Sequence, residues 1–344
     1  RYFISLEIKA LIVFDGDRLP SKSATEARRA AARRAARDAA SRAAAEGRPA
    51  EARRLASASI DVTPQLAAEV RKVLVSRLGE NVKFLVAPYE ADSQLAFLCR
   101  FGWVDFVVTE DSDLLPFGAK RVFYKMDRDF WGEEVKLENL SRVEELDFDG
   151  WSIEEFVRFC VLAGCDYSDS PRGVGVKRAH AIASARLGSD ALLAELSGRI
   201  EDNYAEVFHA ACLVFKFARV FCPKSGKLVH LAGFDPEDPT RTSTEDKKAL
   251  RIAKKAFGGL DFLGPEIDPK IARAVASCEL DPISKERFDL NGHEGLDGLD
   301  REGAQGHGKG FEKKSVTLDR FFEKKSKGES RGKEDKEIKE TTDY

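Results

Sequence analysis

Val108-Thr109-Glu110-Asp111-Ser112-Asp113-Leu114-Leu115-Pro116-Phe117 is the stretch on which the reading of this chain turns. It follows Val104–Val108, apolar but for Asp105, and a short apolar run of this kind predicts a buried strand. Asp111 and Asp113 stand just past its end. Residues two apart in an extended chain point the same way, so both carboxylates can address one spot. Open α/β sheets gather their ligands at the carboxyl ends of strands. Two like charges held together cost free energy unless a cation sits between them. Hard oxygen donors suit Mg²⁺ or Mn²⁺. A solvated acidic turn has the same pattern, and the other acidic motifs of the chain decide between the two.

Outward from that stretch, 344 residues suffice for one large core or two smaller ones. Charged residues make up 33% and hydrophobic ones 43%, which is ordinary for a soluble protein. The net charge of −3 gives no global basic field, but the charge is uneven: 11 Lys and Arg stand against 4 Asp and Glu from Arg18 to Arg54. Six cysteines without a Cys-x-x-Cys pair or a nearby His cluster argue for reduced thiols in an intracellular protein and against zinc. No stretch is apolar enough to span a membrane, and no signal peptide is visible. The chain starts at Arg1 and its single methionine is Met126, so the natural N-terminus is expected upstream.

Lys9–Phe14 predicts a second buried strand, ending at Asp15-Gly16, again a carboxylate at a strand end. After the turn Leu19-Pro20-Ser21-Lys22 comes Ser23–Ala58, rich in Ala and Arg, both strong helix formers. A break is expected near Gly47-Arg48-Pro49. With almost no large apolar residue before Leu55, this helix has little to bury and should stand out from the body. It reads either as a solvated low-complexity helix or as an arch whose arginines line a path for phosphates.

Thr63-Pro64 marks a helix start, with Thr as cap and Pro in the first turn, and that helix should run to Leu78 and end at Gly79. Lys83–Ala87 is the next strand, and Pro88 opens a helix carrying Glu90 and Asp92, where acidic groups also suit the helix dipole. On a regular helix these two side chains diverge by about 200°, so reaching one site requires an irregular first turn or a bridging water. Strand Arg121–Lys125 follows. Strands alternating with helices imply an α/β domain with a largely parallel sheet.

Trp151–Leu162 predicts a helix with Phe156 and Phe159 inward, running into Gly164-Cys165-Asp166-Tyr167. Ser170-Pro171-Arg172-Gly173-Val174-Gly175-Val176-Lys177-Arg178 then places a Gly-x-Gly hairpin before a basic helix, a ready phosphate cradle. Alone this reads equally as a flexible turn.

Asp15-Gly16 with Leu-Pro-Ser-Lys, Ala-Pro-Tyr-Glu-Ala-Asp, Thr-Glu-Asp-Ser-Asp-Leu-Leu and Gly-Cys-Asp-Tyr…Arg-Gly-Val-Gly occur in this order. Together they resemble the XPG/flap-endonuclease superfamily of structure-specific 5′ nucleases over roughly residues 5–285. The Glu90/Asp92 and Asp111/Asp113 motifs and the segment Val220–Pro236 are similar to the exonuclease 1 branch more than to flap endonuclease proper. The resemblance implies a PIN-like 5′-nuclease fold: a mostly parallel central sheet flanked by helices, a helical arch and a helix–two-turn–helix element.

It implies further that Asp15, Glu90, Asp92, Asp111, Asp113 and Asp166 hold two divalent ions (Mg²⁺, with Mn²⁺ as substitute), and that Lys22 and Arg29 meet the scissile phosphate. Arg28, Arg33, Arg172, Gly173, Gly175, Lys177 and Arg178 would contact DNA, with K⁺ held by Ser170 and the Val174 carbonyl. The activity implied is 5′→3′ exonucleolytic hydrolysis of double-stranded DNA with 5′-flap cutting, in the nucleus, by a monomer acting on 5′ ends, flaps, nicks and gaps. On the family pattern roughly sixty residues, including a strand and another metal-binding Asp, are missing before Arg1, and weak or no activity of this fragment is expected.

The resemblance implies a nuclease region at 1–145 with the arch about 23–58 and a second nuclease region at 146–290 with the helix–two-turn–helix, and composition sets off a Gly-, Glu-, Asp- and Lys-rich tail at 291–344 expected to be disordered. Asp268-Pro269 should start a terminal helix over Lys270–Ser277. Within the tail, Ser315, Leu318, Phe321 and Phe322 resemble a docking box for the sliding clamp (PCNA), with Ser in the usual Gln position, and mismatch-repair proteins are further expected partners. Two readings from other classes stay open: a nuclease-related scaffold that binds branched DNA and the clamp without cutting, and a PIN-like ribonuclease.

Overall fold

The computed structural model describes residues 6–79 and 82–288, so the clamp-box residues Ser315, Leu318, Phe321 and Phe322 lie outside the described residues. In chain order, β1 (Ala10–Phe14) leads through a 3₁₀ turn at Pro20–Lys22 into α1 (Ser23–Ala45), α2 (Pro49–Ala58) and α3 (Pro64–Leu78). Then come β2 (Val82–Val86), α4 (Ala91–Arg100), β3 (Val107–Val108), a 3₁₀ turn at Ser112–Leu114, β4 (Arg121–Tyr124) and β5 (Glu133–Lys136). The rest is α5 (Ile153–Ala163), α6 (Val176–Ala183), α7 (Ser189–Glu195), α8 (Tyr204–Phe217), β6 (Arg219–Cys222), β7 (Lys227–His230), α9 (Thr244–Phe257) and α10 (Pro269–Ala276). Helices and strands alternate through the first half, and the fold is α/β.

The single, mostly parallel sheet expected from the sequence is divided. Among the described residues β1 pairs parallel with β2, β3 pairs parallel with β4, and β4–β5 and β6–β7 are antiparallel. β1 was expected buried, yet all five of its residues are half-buried. Its alternation is nonetheless clean. Ala10, Ile12 and Phe14 face Val82, Phe84, Leu74 and Leu78, while Leu11 and Val13 turn to Leu85, Phe221 and Ala272. β3 is two residues long where five were expected. The chain rolls off α4 with the Trp103 and Val104 N–H groups donating to the Leu98 carbonyl at 2.8 and 3.3 Å, which delays the strand.

Helix ends follow local chemistry. Thr63 accepts from the Leu66 N–H at 3.2 Å, and α3 ends at Gly79 with φ +59°. Ser152 and Glu155 form a reciprocal capping box, so Trp151 stands before α5 rather than inside it. Asp268 accepts from the Lys270 N–H at 2.8 Å, and α10 opens at Pro269. α1 and α2 pack on one another around Ala43, 1% exposed, with the break at Gly47 (φ +70°).

One apolar core gathers side chains from Leu19 to Leu263, across the boundary expected near residue 145. The largest of its fully buried side chains are Phe117, Phe208, Phe215, Phe217 and Phe262. Phe215 sits 4.8 Å from Phe117 and 5.2 Å from Tyr167, ring centre to ring centre. Among the described residues no helix is long and apolar enough to cross a membrane, and all six cysteines are free.

Candidate active site

Asp15 leaves the end of β1 and accepts the Ala91 N–H at 2.8 Å, capping α4 from a distant part of the chain. Gly16 makes this possible. Its N–H donates to the Tyr89 carbonyl at 2.5 Å, and a Cβ there would lie 2.0 Å from the Ala87 carbonyl oxygen. Glu90 is the cap residue of α4, extended at φ −87° and ψ 137°. It therefore lies outside the helix, and the divergence that a regular helix would force on Glu90 and Asp92 does not arise.

Glu90 is buried, and its carboxylate accepts from the Lys22 ammonium and from the Tyr167 hydroxyl. Lys22 also reaches Asp166 at 2.7 Å. Arg29 donates to both Asp166 oxygens at 2.9 Å, and the Thr25 hydroxyl donates to the Asp166 carbonyl at 2.8 Å. The root of α1 is thus docked on the turn after α5 by four polar side chains, since Arg28 joins Asp169 at 2.6 Å. Arg33 pairs instead with Asp61 at 3.3 Å.

Asp111 and Asp113 do not share an extended chain as expected. Asp111 caps the 3₁₀ turn 112–114 by accepting the Asp113 N–H at 2.9 Å, and its own N–H donates to the Thr109 hydroxyl at 3.1 Å. The turn still delivers both carboxylates to one place. An open cleft of about 400 Å³ is lined by Asp111, Asp113, Asp166 and Arg29 together with Ser168 and Ser170.

The charges in this cleft are unequally served. Burial pushes Asp92 up to about 8, with Asp111, Glu90 and Asp15 adding repulsion. Burial likewise pushes Asp113 up to about 7, with Asp111 and Asp166 adding to it. Burial also raises Glu90, against the pull of Lys22. Asp166 goes the other way: burial would raise it, but Lys22 and Arg29 outweigh that and hold it below the ordinary carboxylate range. Burial would lower Lys22, and Glu90 and Asp166 reverse the sign.

Among the described residues no three His, Cys, Asp or Glu side chains form a group that could hold a metal ion as placed. The six carboxylates are neighbours rather than a closed ligand set, and Lys22 engages two of them. The chemistry of the set nevertheless fits a hard divalent cation: oxygen donors only, with Asp92 and Asp113 each repelled by Asp111 and Glu90, a repulsion that such a cation relieves. The Tyr124 hydroxyl, buried near Asp92, Asp111 and Asp113, makes no hydrogen bond with protein, as a group placed to meet a bound ion's hydration shell would.

On the far side of Asp166 the turn continues to Gly173 (φ +71°) and to Gly175, which caps α6. Arg172, Lys177 and Arg178 are exposed along it, while Val174 is buried and its N–H donates to Pro171. α5 and α6 flank this turn, where the helix–two-turn–helix element was expected. Four contributors were not singled out from the sequence: Tyr167, Thr25, Tyr124 and Asp169. Tyr167 stood inside a motif that was read for its neighbour Asp166. The others carry no local signal, because their roles depend on contacts between segments up to 141 residues apart.

Residues 81–166, which carry five of the six acidic residues, match the model of the XPG I-region. Exonuclease 1 of Oryza sativa subsp. japonica is 36% identical over 285 residues, covering 82% of this chain and 32% of the relative. This chain belongs to the XPG/flap-endonuclease superfamily. A second superfamily member, exonuclease 1 of Arabidopsis thaliana, is 35% identical over 284 residues, with 82% of this chain and 36% of the relative covered. The chain spans about a third of the length of these two curated relatives. Among solved structures, the catalytic core of Rad2 in complex with DNA substrate aligns loosely, with a TM-score of 0.42 at 18% identity, over 74% of this chain and 76% of that one.

Proposed function

We propose that this chain is the nuclease part of a divalent-cation-dependent 5′→3′ double-stranded DNA exonuclease that also cuts 5′ flaps. The observation that carries this reading is the cleft itself. Acidic side chains from two strand ends meet Asp166 of the helix–turn–helix and two cations from the root of an Arg-rich helical hairpin. The relatives named exonuclease 1 support the branch. Asp15, Glu90, Asp92, Asp111, Asp113 and Asp166 would hold the ions, two Mg²⁺ with Mn²⁺ as substitute. Such a pair activates a water and stabilises the leaving oxygen of a phosphodiester.

The chain's own residues do the rest. Lys22 and Arg29, now paired with Asp166, exchange that carboxylate for the scissile phosphate, an anion that likewise offers two acceptor oxygens, and neutralise charge developing on it. Arg28 and Arg33 would guide the strand entering beneath the arch. Arg172, Lys177 and Arg178, with the N–H groups between Gly173 and Gly175, would hold the duplex backbone, and Ser170 and the Val174 carbonyl would bind K⁺ beside it. The expected setting is repair and recombination in the nucleus, on 5′ ends, flaps, nicks and gaps. Partners would be the sliding clamp, through Ser315, Leu318, Phe321 and Phe322, and mismatch-repair proteins. Residues 1–145 and 146–290 would supply the two faces of the cleft.

A second reading, a DNA-binding relative that does not cut, is favoured by one observation: Glu90 and Asp166 are already engaged by Lys22, Tyr167 and Arg29. One assay separates the two. End-labelled duplexes with recessed 5′ or 3′ ends are incubated in Mg²⁺ with this chain and with Asp111→Ala. Release of nucleotides from 5′ ends by the first protein and not the second supports the nuclease. Duplex binding without cutting by either supports the second reading. Neither binding nor cutting refutes both.

A further inference from the structure

The hairpin joining β4 to β5 carries features that the cleavage chemistry does not use. β3 and β4 run parallel, with the Thr109 N–H donating to the Phe123 carbonyl at 3.1 Å, so their carboxyl ends lie at the same sheet edge. The end of β3 delivers Asp111 and Asp113. The end of β4 delivers Tyr124, whose hydroxyl lies near those carboxylates, and then the hairpin 125–132. The hairpin therefore springs from the rim of the cleft.

Its tip is held rigid. The Asp127 N–H donates to the Trp131 carbonyl at 2.8 Å, and the Asp127 carboxylate accepts the N–H groups of Asp129 and Trp131 at 2.8 and 3.0 Å. Phe130 takes φ +66°, a conformation rarely adopted by a large side chain, and a Cβ at Gly132 would lie 2.8 Å from the Tyr124 carbonyl oxygen. Backbone held this way at a cleft rim points to use rather than accident. The product of the arrangement is Trp131, 77% exposed, the most exposed large apolar side chain among the described residues.

The charges around it discriminate between contacts. Lys125 is paired with Glu133 at 3.2 Å, and Arg128 is offset by Asp129 beside it. The tip thus offers phosphates no net attraction. What it offers is an indole face, and every nucleobase has a complementary one.

We propose that Trp131 is a stacking platform for an unpaired nucleobase of the DNA strand passing the rim of the cleft, so that it favours substrates with a single-stranded segment over fully paired ends. This inference rests on the DNA-binding reading above. The experiment measures dissociation constants by fluorescence anisotropy, without divalent cation, for two labelled DNAs: a duplex with a 5′ single-stranded tail and the same duplex with blunt ends. Wild type, Trp131→Ala and Trp131→Phe are compared.

Stacking on one aromatic side chain is worth about 1–3 kcal/mol per base. Trp131→Ala should therefore weaken binding of the tailed duplex about 5-fold or more, leave the blunt duplex within about 2-fold, and be largely rescued by Trp131→Phe. Unchanged affinity for both DNAs, or equal loss on both, overturns the proposal. A wild-type protein that binds neither DNA refutes the DNA-binding reading instead, and the two failures are told apart by the wild-type arm alone.

Discussion

The helical hairpin 23–58 and the body beneath it are held by different forces. α1 and α2 bury little beyond Ala43, and α1 meets the body through Thr25, Arg28 and Arg29, with Lys22 just before it. The body closes over Phe117, Phe208, Phe215, Phe217 and Phe262. Ion pairs near a surface are worth little individually and weaken with salt, whereas apolar burial is large and indifferent to it. A hairpin fixed in this manner keeps its shape while its attachment stays exchangeable. That suits side chains whose partners must change from carboxylate to phosphate.

The contrast can be broken most decisively in the body. Phe215→Ala removes a fully buried ring between Phe117 and Tyr167 and should cost about 3–5 kcal/mol in denaturant unfolding. Arg33→Ala in the hairpin should cost less than about 1 kcal/mol, because its Asp61 partner is half-exposed. Comparable losses from the two would remove the distinction.

At the junction an intermediate effect is expected. Lys22→Ala strands Glu90 in a buried position with only Tyr167 as a partner, and an orphaned buried acceptor costs about 1–3 kcal/mol. Hydrogen exchange of 23–45 should rise in the same variant. A loss of stability with unchanged exchange there would mean that Lys22 supports the body alone.

The smallest effect sharpens the body side. Burial lowers the pKa of His209 and of His230, outweighing Asp190 in the first case and the Phe217 carbonyl in the second. The unfolded chain then binds more protons than the folded one as pH falls through the ordinary His value of about 6.5. Stability should be full above that value and decline progressively below it. In urea titrations at several pH values, His209→Gln should show a shallower decline, and an unchanged slope would assign the acid sensitivity elsewhere.

Much of this was legible beforehand where one short segment decides the outcome. Thr63-Pro64 and Asp268-Pro269 announce helix starts, and the Ala- and Arg-rich composition of 23–58 announces a helix pair with little to bury. Strand ends carrying Asp15, Asp111 and Asp113 could be found because apolar runs stop abruptly there. What could not be seen was anything set by two segments together. Glu90 sits outside its helix because Asp15, 76 residues away in sequence, caps Ala91 in its place. The Asp-Ser-Asp stretch coils into a 3₁₀ turn because Asp111 caps it, whereas period-two reasoning assumes an extended chain. The late start of β3 follows from the roll of the chain off α4, where Trp103 and Val104 bond back to Leu98.

Gly16 has one more consequence. Where it crosses Pro88 and Tyr89, backbone lies against backbone with no side chain between, so nothing at that crossing can change rotamer. Side chains elsewhere act as springs; this contact is a weld. A distant core substitution that displaces β1 must carry the start of α4 along with it, and Asp15, Glu90 and Asp92 shift as one block against Asp111 and Asp166. Mutational wear in this protein should therefore show as a change in the gap between two rigid sets of acids, while the spacing within the first set survives.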